Sequence, residues 1–377
     1  MQNELFQLAA TLTSFKSISP HQAGGIDFIQ QYLINLGFIT TRLDQNGTSN
    51  LIARLGNKAP IFAYAGHIDV VPPGDVSKWE FDPFTLTPHN GKLYGRGIGD
   101  MKGSVASFML AIKQFLAEKT SECSGSIMLL ITSDEEAAAT DGTVVMVEHL
   151  KQNNTIIDYC LLGEPTSVDN LGDVIKIGRR GSLTGHLEII GQQGHIAYPD
   201  LCHNPIHLFV PALAELTQTI WDTGNNHFPP TSFQFANLNS GLGVDNVIPG
   251  SLYASFNFRY NNLHNAEDLQ TQTVAILDKY KLKYNIKWKN SAKPFYTKPG
   301  QLIKTVTQSI ESEIQLTPQL KTDGGTSDGR FLIDICSELL EFGLSNKHIH
   351  QINENVNQDD LFVLFKTYKT ILHKLFI

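Results

Sequence analysis

Apolar residues recur at helical spacing through residues 2 to 16 and 25 to 36, which predicts two opening helices. LIARLG, PIFAYAG, GSIMLLITS and DYCLLGEP are short apolar runs closed by Gly, Ser or Pro, and they read as core strands. Between them, MKGSVASFMLAIKQFLAEK and GTVVMVEHLKQ place apolar residues at i, i+3, i+4 and i+7. Strands therefore alternate with helices, the pattern of an α/β domain built on a helix-flanked, mostly parallel sheet. Ligands of such open sheets collect at the carboxyl ends of the strands. His67, Glu135, Glu136 and Glu164 all follow predicted strands there.

Around residue 180 the texture changes. GSLTGHLEIIGQQG and SLYASFNFRY alternate apolar with polar residues, as half-exposed antiparallel strands do, and NPIHLFVPALAELTQTIWD between them reads as a helix. From about residue 294 helices and short strands return. The pattern predicts a discontinuous first domain, residues 1–179 and 294–377, interrupted by a smaller α+β domain over 180–293. There is no internal repeat and no low-complexity stretch.

A length of 377 residues with 41% hydrophobic and 18% charged residues is ordinary for a globular chain with a sizeable core. A formal charge of -8, with no basic run carrying interleaved aromatics, argues against nucleic acid as a partner. MQNELFQLAATLTSFKSISP lacks the basic flank, apolar run and cleavage site of a signal peptide, and no segment approaches membrane-spanning length. Cys123, Cys160, Cys202 and Cys336 are widely spaced and form no CxxC pair. Reduced thiols in a cytoplasmic protein are expected, and thiolate zinc ligation is not.

The stretch GRGIGDMKGS sets Asp100 behind Gly95, Gly97 and Gly99. Glycines allow positive φ and close approach, whereas a buried carboxylate needs a cation or several donors. The dinucleotide fingerprint wants a glycine where Asp100 stands, and a phosphate would be repelled there. Taken alone, the stretch also fits a glycine-rich surface turn. AGHIDVVPPGD places Asp69 two residues after His67, a spacing that suits a carboxylate holding a metal-bound imidazole. TSDEEAAATDG supplies Asp134, Glu135 and Glu136, although acids in a first helical turn also complement the helix dipole. LLGEPTS gives Glu164, and HIHQINE gives His348 and His350. Together these make an N/O cluster without cysteine, His67, Asp100, Glu136, Glu164 and His350, suited to zinc or a similar divalent ion. A carboxylate can bridge two ions roughly 3.5 to 4 Å apart, and Asp100 is the candidate for that bridge. Glu135, beside a ligand but free, is the candidate general base.

GHIDVVPPGD, YGRGIGDMKGS, TSDEE and LLGEPT resemble the zinc-dependent amidohydrolase and peptidase family that includes carboxypeptidases and acetylornithine deacetylase. RRGSLTGHLEIIGQQGHIAYPDLCHNP, GGTSDGRF and FGLSNKHIHQINE are similar to a branch that acts on acidic N-succinyl amino acids. The resemblance runs through nearly the whole chain. It implies hydrolysis of N-succinyl-LL-2,6-diaminopimelate to succinate and LL-2,6-diaminopimelate, in lysine and cell-wall precursor synthesis, with acetylornithine deacetylation or related peptidase action as the alternative. It further implies two divalent ions, zinc in first place and cobalt as a substitute. His67 and Glu164 would hold one ion and Glu136 and His350 the other, with Asp100 shared, Asp69 orienting His67 and Glu135 as base. The family's HxxNE pattern falls on residues 350 to 354 and selects His350 over His348. The same resemblance makes 180–293 a lid through which two copies dimerise, with His195 serving the partner's site. Arg179, Arg180, Ser182, Tyr198, Asn246, Arg259, Gly325, Thr326 and Asn346 would hold substrate. Asp245 departs from the pattern, which has asparagine there.

Two other classes compete. Gly325-Thr326-Ser327-Asp328-Gly329 matches the G-x-S-x-G elbow of serine hydrolases, but LTPQLKTDGG before it is polar and broken by proline, not an apolar strand. An active-serine probe would label that enzyme, and a chelator would silence the metal enzyme. A metal-bearing binding protein without catalysis would leave Glu135 without a task, and turnover separates it.

Overall fold

The computed structural model describes residues 1–118 and 124–377, and the expectation of a reduced Cys123 lies outside the described residues. The chain divides into two compact units. One comprises Met1–Gly178, Thr297–Lys321 and Ser327–Ile377, the other Arg179–Tyr296 and Thr322–Thr326.

The first unit is built on an eight-stranded sheet in the order Ile39–Arg42, Asn50–Leu55, Ser126–Thr132, Ile61–His67, Ile157–Leu162, Cys336–Glu341, Val174–Lys176, Gln319–Lys321. The four middle strands, Ser126–Thr132 through Cys336–Glu341, are mutually parallel. Asn50–Leu55 joins them antiparallel on one side and Val174–Lys176 on the other. The middle strands are apolar because both faces are covered; SIMLLIT of Ser126–Thr132 is buried at every position. Gly103–Glu118 is buried without interruption from Gly103 to Ile112. Its Phe108 stacks on Tyr64 at 4.0 Å between ring centres, and Tyr368 of the last helix, Gln358–Phe376, packs edge-on against both. Each such buried side chain contributes about 1.5–3 kcal/mol, which fixes the sheet on which the site is mounted.

In the second unit Ser232–Ser240, Ser251–Tyr260, Gly181–Ile190 and Tyr284–Ala292 form an antiparallel sheet in that order. Leu183, Leu187, Phe256 and Phe258 alternate inward against Phe209 and Leu216 of Pro205–Gln218 and Leu269 and Leu277 of Ala266–Lys279. Ala266–Lys279 was not foreseen from its apolar pattern. A capping box, Asn265 with Asp268, marks its start instead. The edge strands Ser232–Ser240 and Tyr284–Ala292 were missed too, being largely exposed and polar. Among the described residues no helix is long and apolar enough to cross a membrane, and Cys160, Cys202 and Cys336 are unpaired thiols.

Candidate active site

The four parallel strands deliver four of the five expected ligands from one end of the sheet. His67 ends its strand, Glu136 lies four residues past Thr132, Glu164 two past Leu162, and His350 follows the turn after Glu341. Gly163 must be glycine, since a Cβ there would collide with the buried Tyr64 ring. Asp100 comes from a turn in which Gly97 takes φ 83° and the Lys102 amide reaches back to the Gly97 carbonyl at 2.8 Å.

His67 Nδ1 is 2.9 Å from the Asp69 main-chain carbonyl. A carbonyl only accepts, so Nδ1 carries the proton and Nε2 turns its lone pair inward. Nε2 lies 3.4 Å from Asp100 Oδ1, and both atoms are buried without a hydrogen-bond partner. The other carboxylate oxygen, Asp100 Oδ2, is 3.2 Å from His350 Nε2, which is also 2.9 Å from Glu136 Oε1. One carboxylate thus presents each of its oxygens to a different imidazole. Ligand atoms of His67, Asp100 and Glu136 all lie within 4.8 Å of one another. Orphaned, buried nitrogen and oxygen atoms converging in this way fit divalent cations, and the N/O donor set suits a zinc-like ion.

A family model described as peptidase family M20/M25/M40 matches residues 63–374. The chain belongs to that family. A succinyl-diaminopimelate desuccinylase of Nitrosospira multiformis is 48% identical over 377 residues, all of both chains. An M20 family metallo-carboxypeptidase from Sulfolobus solfataricus has the same fold, with a TM-score of 0.81 at 18% identity over 99% of each chain. So does a dinuclear metal binding peptidase of the family from Bacillus subtilis, with a TM-score of 0.72 at 14% identity over 99% of this chain and 98% of that one.

The electrostatics agree with a metallohydrolase of the M20 family. Burial would raise the Asp100 carboxyl, but the imidazoles of His350 and His67 facing its two oxygens outweigh it and hold the group well below the usual carboxylate range. Asp100 and Glu136, both within hydrogen-bond reach of its Nε2, push His350 up to about 10. Burial works against a charged His67, yet Asp100 and Asp69 raise it. The acids here call for positive charge, which divalent cations would supply. Glu135 is raised well above an ordinary glutamate, first by burial of its carboxyl and then by the charge of Glu164. Buried carboxyls raised in this way are candidates for proton transfer. His350 also sits at φ 61°, a conformation that costs a histidine of order 1–3 kcal/mol and tends to persist where function demands it.

Asp69 does more than the HxD spacing suggested. Its carbonyl, at 2.9 Å, is nearer to Nδ1 than its carboxylate, at 3.5 Å. The carboxylate accepts instead from the amides of Glu135 and Glu136 at 3.2 and 3.1 Å, and so also shapes the turn that carries these two glutamates. Asp328 was not foreseen. It takes a 2.6 Å hydrogen bond from Thr143, and burial raises its carboxyl to about 6. Asn346 is anchored by its amide to the Ser167 carbonyl. Ser327, the rival nucleophile, is fully buried and donates its hydroxyl to Glu341, so no substrate carbonyl can reach it.

The remaining expected residues belong to the second unit, where they form two groups. His195, Tyr198 and Asn246 share one loop region: the Ile196 amide donates to the Asn246 carbonyl at 3.1 Å, and the His195 and Tyr198 rings are 5.6 Å apart. The Ala197 amide donates to His195 Nδ1 at 3.1 Å, which leaves the proton on an exposed Nε2. In the other group Ser182 and Arg259 are direct cross-strand partners, and Arg179 Nη1 donates to the Asp323 carbonyl beside Gly325 and Thr326. Arg180 follows Arg179, partly buried.

Proposed function

We propose that this chain hydrolyses the amide of N-succinyl-LL-2,6-diaminopimelate, giving succinate and LL-2,6-diaminopimelate, with zinc as the metal and cobalt able to replace it. The observation that carries the chemistry is Asp100 facing His67 with one oxygen and His350 with the other. The substrate is supported by near-half identity over the full length to a relative named for that reaction. His67 and Glu164 would hold one ion, Glu136 and His350 the other, and Asp100 both. Bound there, the ions would polarise the amide carbonyl and make water more acidic. Glu135 takes the proton of the attacking water and returns it to the leaving amine. The arginines Arg179, Arg180 and Arg259 suit substrate carboxylates because a guanidinium pairs bidentately with them; Ser182, Tyr198, Asn246, Gly325, Thr326 and Asn346 complete the proposed substrate shell. The setting is the cytoplasm. The deciding assay compares succinylated diaminopimelate with N-acetylornithine, with and without added zinc. Zinc-dependent preference for the former is expected, and preference for acetylornithine would overturn the substrate.

The same proposal makes residues 180–293 a dimerising lid. Ser232–Ser240 is an exposed sheet edge, which a second copy can cover by two-fold pairing. His195, with its proton on Nε2, would then stabilise the oxyanion in the neighbouring subunit, a contribution of about 10² to 10³ in turnover. Mixing His195→Ala with Glu135→Ala under subunit exchange should restore activity approaching half the wild-type value per heterodimer. Verified heterodimers without activity would reject action across the interface.

A further inference from the structure

The loop that carries Asp100 is held by an acid outside the ligand set. Glu354, at the end of the HxxNE stretch, is 1% exposed. Its Oε1 accepts from the amides of Gly99 at 2.9 Å and Asp100 at 3.2 Å. Its Oε2 accepts from the amide of Gly97 at 3.0 Å and from Arg96 Nη1 at 2.7 Å. Four donors on one buried carboxylate compensate its charge, and three of them are main-chain groups of the Asp100 loop. Without that acceptor these amides would be buried donors left unsatisfied, at about 1–3 kcal/mol each. A Cβ on Gly99 would lie 3.3 Å from Oε1, tighter than an ordinary contact, so glycine lets loop and acid meet.

We propose that Glu354 is a positioning residue for the metal centre: it gathers the Gly97, Gly99 and Asp100 amides onto one carboxylate and so sets the Asp100 side chain between His67 and His350. This rests on Asp100 being the shared ligand. Glutamine at 354 offers one acceptor and one donor where four donors converge, so part of the loop loses its anchor while the volume stays the same.

The test uses the full chain. Zinc and cobalt affinities are measured by competition with a chromophoric chelator, the visible spectrum of the cobalt-loaded protein is recorded, and hydrogen exchange is followed in the peptide spanning residues 95 to 104. Glu354→Gln should bind metal roughly 10- to 100-fold more weakly, the range for groups that orient metal ligands. Its cobalt spectrum should shift and the loop amides should exchange faster, with KM unchanged once metal is saturating. Wild-type affinity and an unchanged cobalt spectrum in Glu354→Gln would overturn the role. If that variant fails to fold, Gly99→Ala, which presses on Oε1, is expected to show the same loss of affinity and spectral shift, and an unchanged metal centre there would overturn it equally. A wild-type chain that binds fewer than two ions sinks the bridging reading and this one together. A wild-type chain that binds two ions yet spares succinylated diaminopimelate sinks only the substrate, and the metal titration still decides Glu354.

Discussion

Replacing Asp100 by alanine should cost the protein both divalent ions and, with them, measurable turnover. The two oxygens of this carboxylate face His67 Nε2 at 3.4 Å and His350 Nε2 at 3.2 Å, so this one side chain reaches both imidazoles of the proposed site. The loss should exceed the roughly 10- to 100-fold that follows removal of a group merely orienting a ligand. Asp100→Asn should be intermediate, since one oxygen remains to ligate and an amide nitrogen replaces the other. Elemental analysis of the purified variants, paired with turnover, checks this. Normal metal content in Asp100→Ala would end the bridging assignment.

How much of this site could be read from the chain depends on where each residue gets its position. The places of His67, Glu136 and Glu164 at or just past strand ends were legible because an apolar run that stops abruptly marks the end of a parallel strand, the end at which open sheets of this kind bind ligands. Asp100 was legible as a question, a carboxylate behind three glycines with no evident partner. Half of the answer was not: the glycines bring the loop up to another acid, Glu354, some 250 residues away, as well as to the imidazoles. Glu354 had a signal, since it ends a motif in which only His350 had been given work. The role of the Asp69 carbonyl had none, because every residue carries one and only the fold decides which carbonyl faces a histidine. In the second unit the central strands announced themselves by alternation. Its edge strands and the helix Ala266–Lys279 bury only one narrow face, so polar residues dilute the period that sequence reading relies on.

Within TSDEE the two glutamates should separate cleanly. Glu135→Gln keeps the shape of the side chain but cannot accept a proton, so turnover should fall by at least the roughly 10²-fold typical of general-base loss while metal stays bound. Glu136→Gln should instead weaken metal binding, because the Glu136 carboxylate lies 2.9 Å from His350 Nε2 and belongs to the group converging with His67 and Asp100. The pH dependence adds a second criterion. Burial and the charge of Glu164 raise the Glu135 carboxyl well above an ordinary glutamate, so it keeps its proton to higher pH than a solvated acid would. A base works only when deprotonated, so kcat/KM should rise with pH through that pKa and level off above it. Bound cations favour the charged form and shift the rising limb toward lower pH, which makes the limb sensitive to metal occupancy. In Glu135→Gln the rising limb should vanish, leaving a low rate without it, whereas Glu136→Gln reloaded with excess metal should retain it. Metal content, turnover and the pH profile measured on both variants decide the matter. Lost metal with a retained limb in Glu135→Gln, or retained metal with a lost limb in Glu136→Gln, would exchange the two roles.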